Sequence, residues 1–130
     1  MTFKLSEKSL NKLMQCDEDL ALVMQLAITY TKYDFGIGET LRKVERQKEL
    51  VDSGASQTMD SRHLPNVSGE SEACDIIVYV NGKVTWEIKY YRKVACAIFR
   101  AAIDLGIQVE WGGLWESFVD GPHWQLKNKR

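Results

Sequence analysis

A chain of 130 residues, 45% hydrophobic and 27% charged, has the balance of a soluble globular protein and the length of one domain spanning 1–130. Folding at this size buries about two-thirds of the unfolded surface, so a core forms without staples. The formal net charge of −1 excludes a field that gathers nucleic acid or an anionic membrane, and the only basic run, Lys127-Asn128-Lys129-Arg130, reads as a solvated end.

The first third is helical. Leu10, Leu13, Leu20, Val23, Ala27 and Ile28 recur at helical spacing, and Asp17, Glu18 and Asp19 favour a helix start between them. Two helices are expected, over residues 6–15 and 17–31. Tyr33 to Ile37 reads as a short strand ending at Gly36 and Gly38. Another helix is expected from Thr40 to Asp52, with Leu41, Val44, Lys48 and Val51 on one face and Gly54 as its stop. Residues 54–72 are polar and form a long loop, a feature usually tied to function or disorder.

Ile76 to Val80 is a strand by its β-branched content. Asn81-Gly82 is a hairpin signal, with Val84 to Trp86 as the return arm. A long helix runs from Ile88 to Leu105 and stops at Gly106. It carries Ile88, Tyr91, Ala95, Ile98, Phe99 and Ala102 on one face. Ile107, Val109 and Trp111 alternate with Gln108 and Glu110 as a strand, Gly112-Gly113 turns the chain, and His123 to Leu126 is a last short strand. The sum is α+β: helices packed with a small, mainly antiparallel sheet.

Three cysteines, Cys16, Cys74 and Cys96, lack paired spacing and read as reduced, mostly buried thiols of a protein made in the cytosol. No CxxC supports a thiolate metal site. The N-terminus has no apolar signal region, and no apolar run reaches the roughly 18 residues of a spanning helix.

Both histidines of the chain sit in segments that read like halves of a metal site. His63 lies in a polar loop rather than on an apolar stripe. Asp75 opens a strand. It either faces inward, where it needs a partner or a metal, or lies solvated at the strand's edge. Gly121-Pro122 fixes a tight turn between Asp120 and His123. His123 and Gln125 then share one strand face and Trp124 the other. Two imidazoles and a carboxylate fill three corners of a catalytic zinc tetrahedron. Asp120, three residues from His123, is placed to exchange a proton at such a site. A plain turn with a surface histidine remains the alternative.

These segments resemble the VanY-like zinc peptidases that act on peptidoglycan stem peptides, above all the phage endolysins of the L-alanyl-D-glutamate endopeptidase type. The likeness is carried by Glu39-Thr40-Leu41-Arg42, Arg46-Gln47, Ser61-Arg62-His63, Ala73-Cys74-Asp75, Trp111-Gly112-Gly113-Leu114-Trp115, Phe118 and Asp120-Gly121-Pro122-His123. It implies the fold of the D-Ala-D-Ala carboxypeptidase/Hedgehog-like type. It implies Zn2+ held by His63, Asp75 and His123, with Asp120 as general base and then acid. Arg42 would serve the scissile carbonyl, and Ser61, Gln47 and Trp115 would contact substrate. One departure is the spacing. Eleven residues separate His63 from Asp75, where the family commonly has fewer, and the shorter spacing lands on Glu70, a rival third ligand. Glu70 and Glu72 could also serve calcium, although the loop lacks a recognisable ligand spacing.

Arg42 at a helix start would be mildly disfavoured by the dipole, which favours a functional reason or an ion pair with Glu39 or Glu45. Trp111, Trp115 and Trp124 read as core or cleft wall, and Gln47 could instead hydrogen-bond a loop. The expected protein is a monomer that cleaves stem peptides; its charge and hydropathy point to no nucleic-acid partner and no stable membrane insertion, and the missing signal region suggests a permeabilising partner such as a holin for passage from the host cytoplasm to the periplasmic wall. The competing functions are a D-alanyl-D-alanine carboxypeptidase and a non-catalytic cell-wall-binding module.

Overall fold

The computed structural model describes residues 2–127, so the basic tail beyond Lys127 lies outside the described residues. The chain begins with α1 (Glu7–Leu13) and α2 (Glu18–Tyr30). Each starts at a side chain that accepts an otherwise unpaired amide. Ser6 Oγ takes Ser9 N at 3.1 Å, and Asp17 Oδ1 takes Asp19 N at 2.9 Å. Strand β1 (Asp34–Ile37) follows, then α3 (Val44–Asp52) and the loop leading to β2 (Ala73–Val80). The hairpin to β3 (Lys83–Thr85) turns at Asn81 and Gly82, both at positive φ, as the Asn-Gly pair predicts. Helix α4 (Ile88–Leu105) ends at Gly106 with φ 70°, and β4 (Val109–Trp111), a 3-10 turn (Gly112–Leu114) and β5 (His123–Leu126) complete the chain.

All five strands pair antiparallel in the order β1-β2-β5-β4, with β3 also on β2. Strand β2 is the beam. Its start, Ala73 to Asp75, pairs with β5, and its later residues pair with β1 and β3. Period-two alternation sends Cys74, Ile76 and Val78 into the core and leaves Asp75, Ile77 and Tyr79 on the opposite, half-buried face. Helices α2 and α4 cover the core face through Leu20, Val23, Met24 and Ala27 on one and Tyr91, Val94, Ile98 and Ala101 on the other. Trp124 is fully buried, stacks on Trp111 at 5.7 Å and meets Phe99 edge-on. Losing a ring so enclosed costs about 3–5 kcal/mol. Helix α1 closes the sheet's β1 edge, where Ser9 Oγ accepts from Ile37 N at 3.0 Å.

Two expectations change. Helix α3 starts at Val44 rather than Thr40, and its buried residue is Gln47, while Leu41 and Val44 are exposed. The reason is competition for the backbone. Gly38 N donates to Asp75 O, Glu39 O accepts from Asp75 N, and Arg42 N donates to His63 O, so 38–42 is held outside the helix. Arg42 therefore does not stand at a helix start. Strand β2 begins at Ala73, not Ile76, because its first residues have β5 as a partner. The cysteines are mostly buried, as expected: Cys16 and Cys74 are enclosed and Cys96 is exposed.

Burial, helped by the Glu70 and Asp17 carboxylates, pushes the Cys16 thiol up to about 12. Burial likewise pushes Cys74 well above its ordinary value. The thiolate is the reactive form. Native protein treated with iodoacetamide at pH 8 is therefore expected to gain one label, on Cys96, and the other two only after unfolding. Labelling of Cys16 or Cys74 at the Cys96 rate, read by peptide mass spectrometry, would contradict this packing.

Candidate metal centre

The antiparallel register sets Asp75 directly opposite His123, so the two side chains rise from one face of the sheet as cross-strand neighbours. The turn before β5 holds them there. Asp120 N donates to Gly112 O at 3.0 Å, and His123 N donates to Asp120 O at 3.2 Å. A Cβ at position 112 would collide with Asp120 O and press on Asp120 and His123, so only glycine lets the turn approach this closely. His63 comes from the long loop. Its N donates to Ser61 Oγ at 3.1 Å, and Arg42 N holds its carbonyl at 2.8 Å.

The proton positions on the two rings follow from their outer partners. His63 Nδ1 lies 2.7 Å from Thr40 O, which only accepts, so Nδ1 carries the proton and Nε2 presents a lone pair. His123 Nε2 lies 2.8 Å from Gln125 Oε1 and donates to it, leaving a lone pair on Nδ1. Those two lone-pair nitrogens face each other at 3.2 Å, and Asp75 Oδ1 stands 3.2 Å from the first and 3.4 Å from the second. All three ligand atoms lie within 4.8 Å of one another. Three converging acceptors with their outer protons already committed repel unless a cation sits among them. This donor set, two imidazoles and a carboxylate with each ring oriented from behind, fits a divalent metal with an open fourth position.

The charges agree. Burial alone would push Asp75 up, but once an inward ring nitrogen of His123 or His63 takes a proton, its hydrogen bond and charge hold the carboxyl well below the usual carboxylate range. Burial would lower His123, yet the Asp75 carboxylate raises it above the ordinary imidazole value. The pocket thus recruits positive charge, as a proton or as a metal. Asp120 is half-buried and shifts the other way. Burial and the Asp75 charge raise it, against smaller opposing pulls from His123, His63 and Arg42. Two carboxylates in one site are pushed apart in acidity, the pattern that separates a ligand from a proton carrier.

A cleft of about 690 Å³ opens over this group, and its lining includes residues 55–58 and 115–118. Arg42, Ser61, Trp115 and Asp120 all line it. Trp115 stands beside the His123 ring at 5.0 Å and is tied by Nε1 to Glu110 at 2.8 Å. Arg42 is clamped by Glu39 through Nε at 2.7 Å and Nη2 at 2.9 Å, the ion pair that the sequence left open. Its Nη1 donates to Gln47 Oε1 at 2.6 Å. Burial would raise Glu39, but Arg42 holds it below its ordinary value.

Gln47 does not reach the cleft. It is fully buried, and its Nε2 donates to Ser56 Oγ at 2.9 Å and to Thr58 O. The substrate contact expected of it is replaced by a strut between Arg42 and the 55–58 segment. Glu70 is not among the converging ligand atoms, and Glu72 is buried against Arg62 Nη1 at 3.2 Å and Asn66 Nδ2 at 3.0 Å. Thr40 and Gln125 orient the rings, yet sequence reasoning gave neither that role. Thr40 acts through its carbonyl, which every residue has. Gln125 carried one usable signal, its shared strand face with His123.

Known proteins are similar over almost all of this length. The family model for phage L-alanyl-D-glutamate peptidase matches residues 1–126, and the chain belongs to that family. The L-alanyl-D-glutamate peptidase of Escherichia phage T5 is 28% identical over 121 residues, 92% of this chain and 87% of the relative. The L-alanyl-D-glutamate peptidase of Listeria phage A118 is 43% identical over 94 residues, 72% of this chain but 30% of that longer relative. A crystal structure of the Serratia marcescens L-Ala D-Glu endopeptidase ChiX matches with a TM-score of 0.87 at 40% identity, covering 97% of this chain and 91% of that one.

The Gln47 strut is testable by stability. Gln47→Leu strips a buried cation and a loop of their partner and is expected to cost about 1–3 kcal/mol in urea unfolding. A loss under about 0.5 kcal/mol, the usual scatter for an unengaged surface change, would show that the strut carries no load.

Proposed function

We propose that this member of the phage L-alanyl-D-glutamate peptidase family is a zinc-dependent endopeptidase that hydrolyses the L-alanyl-D-glutamate amide of peptidoglycan stem peptides during host lysis. One observation carries the metal chemistry: two buried imidazoles and a half-buried carboxylate converge on one point, with Asp120 and Arg42 on the same cleft. The family match over 1–126 and the printed activity of the relatives support the bond and support treating this span as one peptidase domain.

His63, Asp75 and His123 would hold Zn2+, which supplies Lewis acidity toward the scissile carbonyl and makes water more acidic. Asp120 takes the proton of the attacking water, a role suited to a carboxylate whose acidity is already weakened. It then gives that proton to the departing amine. Arg42, fixed by Glu39 and Gln47, donates to the carbonyl oxygen as charge builds there. A fixed donor of this kind is typically worth about 2.7–4 kcal/mol in the transition state. Ser61 sets the height of His63, and Trp115 walls the cleft beside His123.

No described helix is long and apolar enough to cross a membrane. Release to the wall through a permeabilising partner such as a holin, and action as a monomer, are parts of the same proposal. A D-alanyl-D-alanine carboxypeptidase would use the same metal chemistry, and mass spectrometry of digested peptidoglycan separates the two by the bond broken.

Metal analysis of purified protein is expected to give about one zinc per chain, as a single three-ligand site requires. No zinc, and no gain in activity on adding it, would sink the metallopeptidase reading. Asp120→Asn is expected to keep the zinc and lose about 10²- to 10⁴-fold in hydrolysis. Full activity in that variant would remove Asp120 from the mechanism. Because Asp75 raises the pKa of His123, a proton competes with metal at its ligand atom. Zinc affinity should therefore fall as pH drops through that raised value, measured against a chromophoric chelator. An affinity indifferent to pH over that range would contradict the ligand assignment.

A further inference from the structure

A glutamate has two carboxyl groups, and a peptide chain consumes at most one of them in continuing. An L-alanyl-D-glutamate substrate therefore brings a free carboxylate close to the amine that leaves. That carboxylate enters a cleft lined by five acidic side chains, Glu39, Asp60, Asp75, Glu116 and Asp120. Without a cation to meet it, it would be repelled. The cleft lining offers only two cationic side chains among the described residues, Arg42 and Arg62.

Arg42 is spent. Its Nε and Nη2 form a fork on Glu39, and its Nη1 is taken by Gln47. Arg62 is different. Among the described residues its hydrogen bonds leave from Nη1 alone, to Glu72 Oε1 at 3.2 Å and Leu126 O at 3.4 Å. Its side chain is 25% exposed, and Glu72, on which it rests, is 4% exposed. The buried acid thus anchors the guanidinium by one edge, while Nε and Nη2 make no hydrogen bond among the described residues. The backbone places it well. Arg62 immediately precedes His63, and Leu126 follows Gln125, which also lines the cleft. A planar guanidinium with one edge fixed and one edge presented suits a carboxylate.

We propose that Arg62, steadied by Glu72, is the specificity residue that binds the free carboxylate of the D-glutamate next to the scissile bond. This rests on the endopeptidase reading above. The test uses zinc-loaded full-length protein and two synthetic peptides. One contains L-Ala-D-Glu, and the other L-Ala-D-Gln, in which the free carboxylate has become an amide. Wild type should cleave both and prefer the acid by roughly tenfold or more in kcat/KM, as a charge-assisted hydrogen bond lends. In Arg62→Met/Glu72→Gln, which removes both charges of the buried pair, the preference should collapse through loss on the acid peptide, chiefly in KM. The loss on the amide peptide should be several-fold smaller than the loss on the acid peptide. Glu72→Gln alone should keep most of the preference.

Wild type that cleaves both peptides equally overturns this inference and leaves the endopeptidase reading standing, and that comparison needs no variant to fold. A preference that survives in the double variant, or that is lost instead in Arg42→Lys, also overturns it. Cleavage of neither peptide by zinc-loaded wild type removes the endopeptidase reading and this inference together.

Discussion

Everything in the site follows from one electrostatic constraint: His63 Nε2, His123 Nδ1 and Asp75 Oδ1 are acceptors that face one another inside the protein. Such a group is unfavourable by itself, and the surrounding structure is built to hold it in that state. Thr40 O and Gln125 Oε1 pin the ring protons on the outside. The β2–β5 register keeps Asp75 opposite His123. A slip of one residue along that pairing would send Asp75 toward the helices and Cys74 into the cleft, because strand side chains alternate. The fully buried Trp124, on the opposite face of β5 from His123, resists that slip by its place between Trp111 and Phe99.

A second tier of groups surrounds the three ligand atoms and is organised in the same way, with polar atoms held by partners behind them. Gln47 fixes Arg42, Arg42 is neutralised by Glu39, and Glu72 fixes Arg62. Buried polar networks of this kind are favourable only when each member is satisfied. The result is a rigid floor under a cleft whose lining at residues 55–58 and 115–118 is loop. The peptidase family to which the chain belongs hydrolyses an unreactive amide, and rigid placement of donors is the main thing a protein scaffold contributes to such a reaction.

How much of this could be read from the sequence depended on whether the cause was local. Helix α4 and the Asn81-Gly82 hairpin were legible because periodicity and turn chemistry act within a few residues. The Asp120 to His123 turn was legible for the same reason, through Gly121 and Pro122. The start of α3 was not, because the segment at 38–42 is claimed by amides and carbonyls of Asp75 and His63, distant in the chain. The resemblance made Gln47 a substrate contact, whereas its place near the apolar face of its helix allowed a bond to a loop instead, and Ser56 and Thr58 are its partners there. Arg62 stands in the sequence only as a basic residue in a polar stretch beside His63. Its role emerges only when Glu72 and the cleft are seen together.

The loop between His63 and Asp75 closes on itself. Asn66 Oδ1 accepts from Ser68 N at 2.9 Å and Glu70 N at 3.0 Å, while Asn66 N returns to Glu70 O at 2.9 Å. Its base is pinned where Glu72 N meets Arg62 O at 3.0 Å. The excursion is a detour with a fixed entrance and exit, and Val67 at its tip is wholly exposed. Chain length between the two histidine-side and aspartate-side segments is therefore decoupled from the distance between them in space. A motif search that insists on a fixed interval would pass over proteins like this one. The same tip is a natural graft point, where an epitope or a targeting peptide could be carried on the enzyme's outer surface without disturbing the residues beneath.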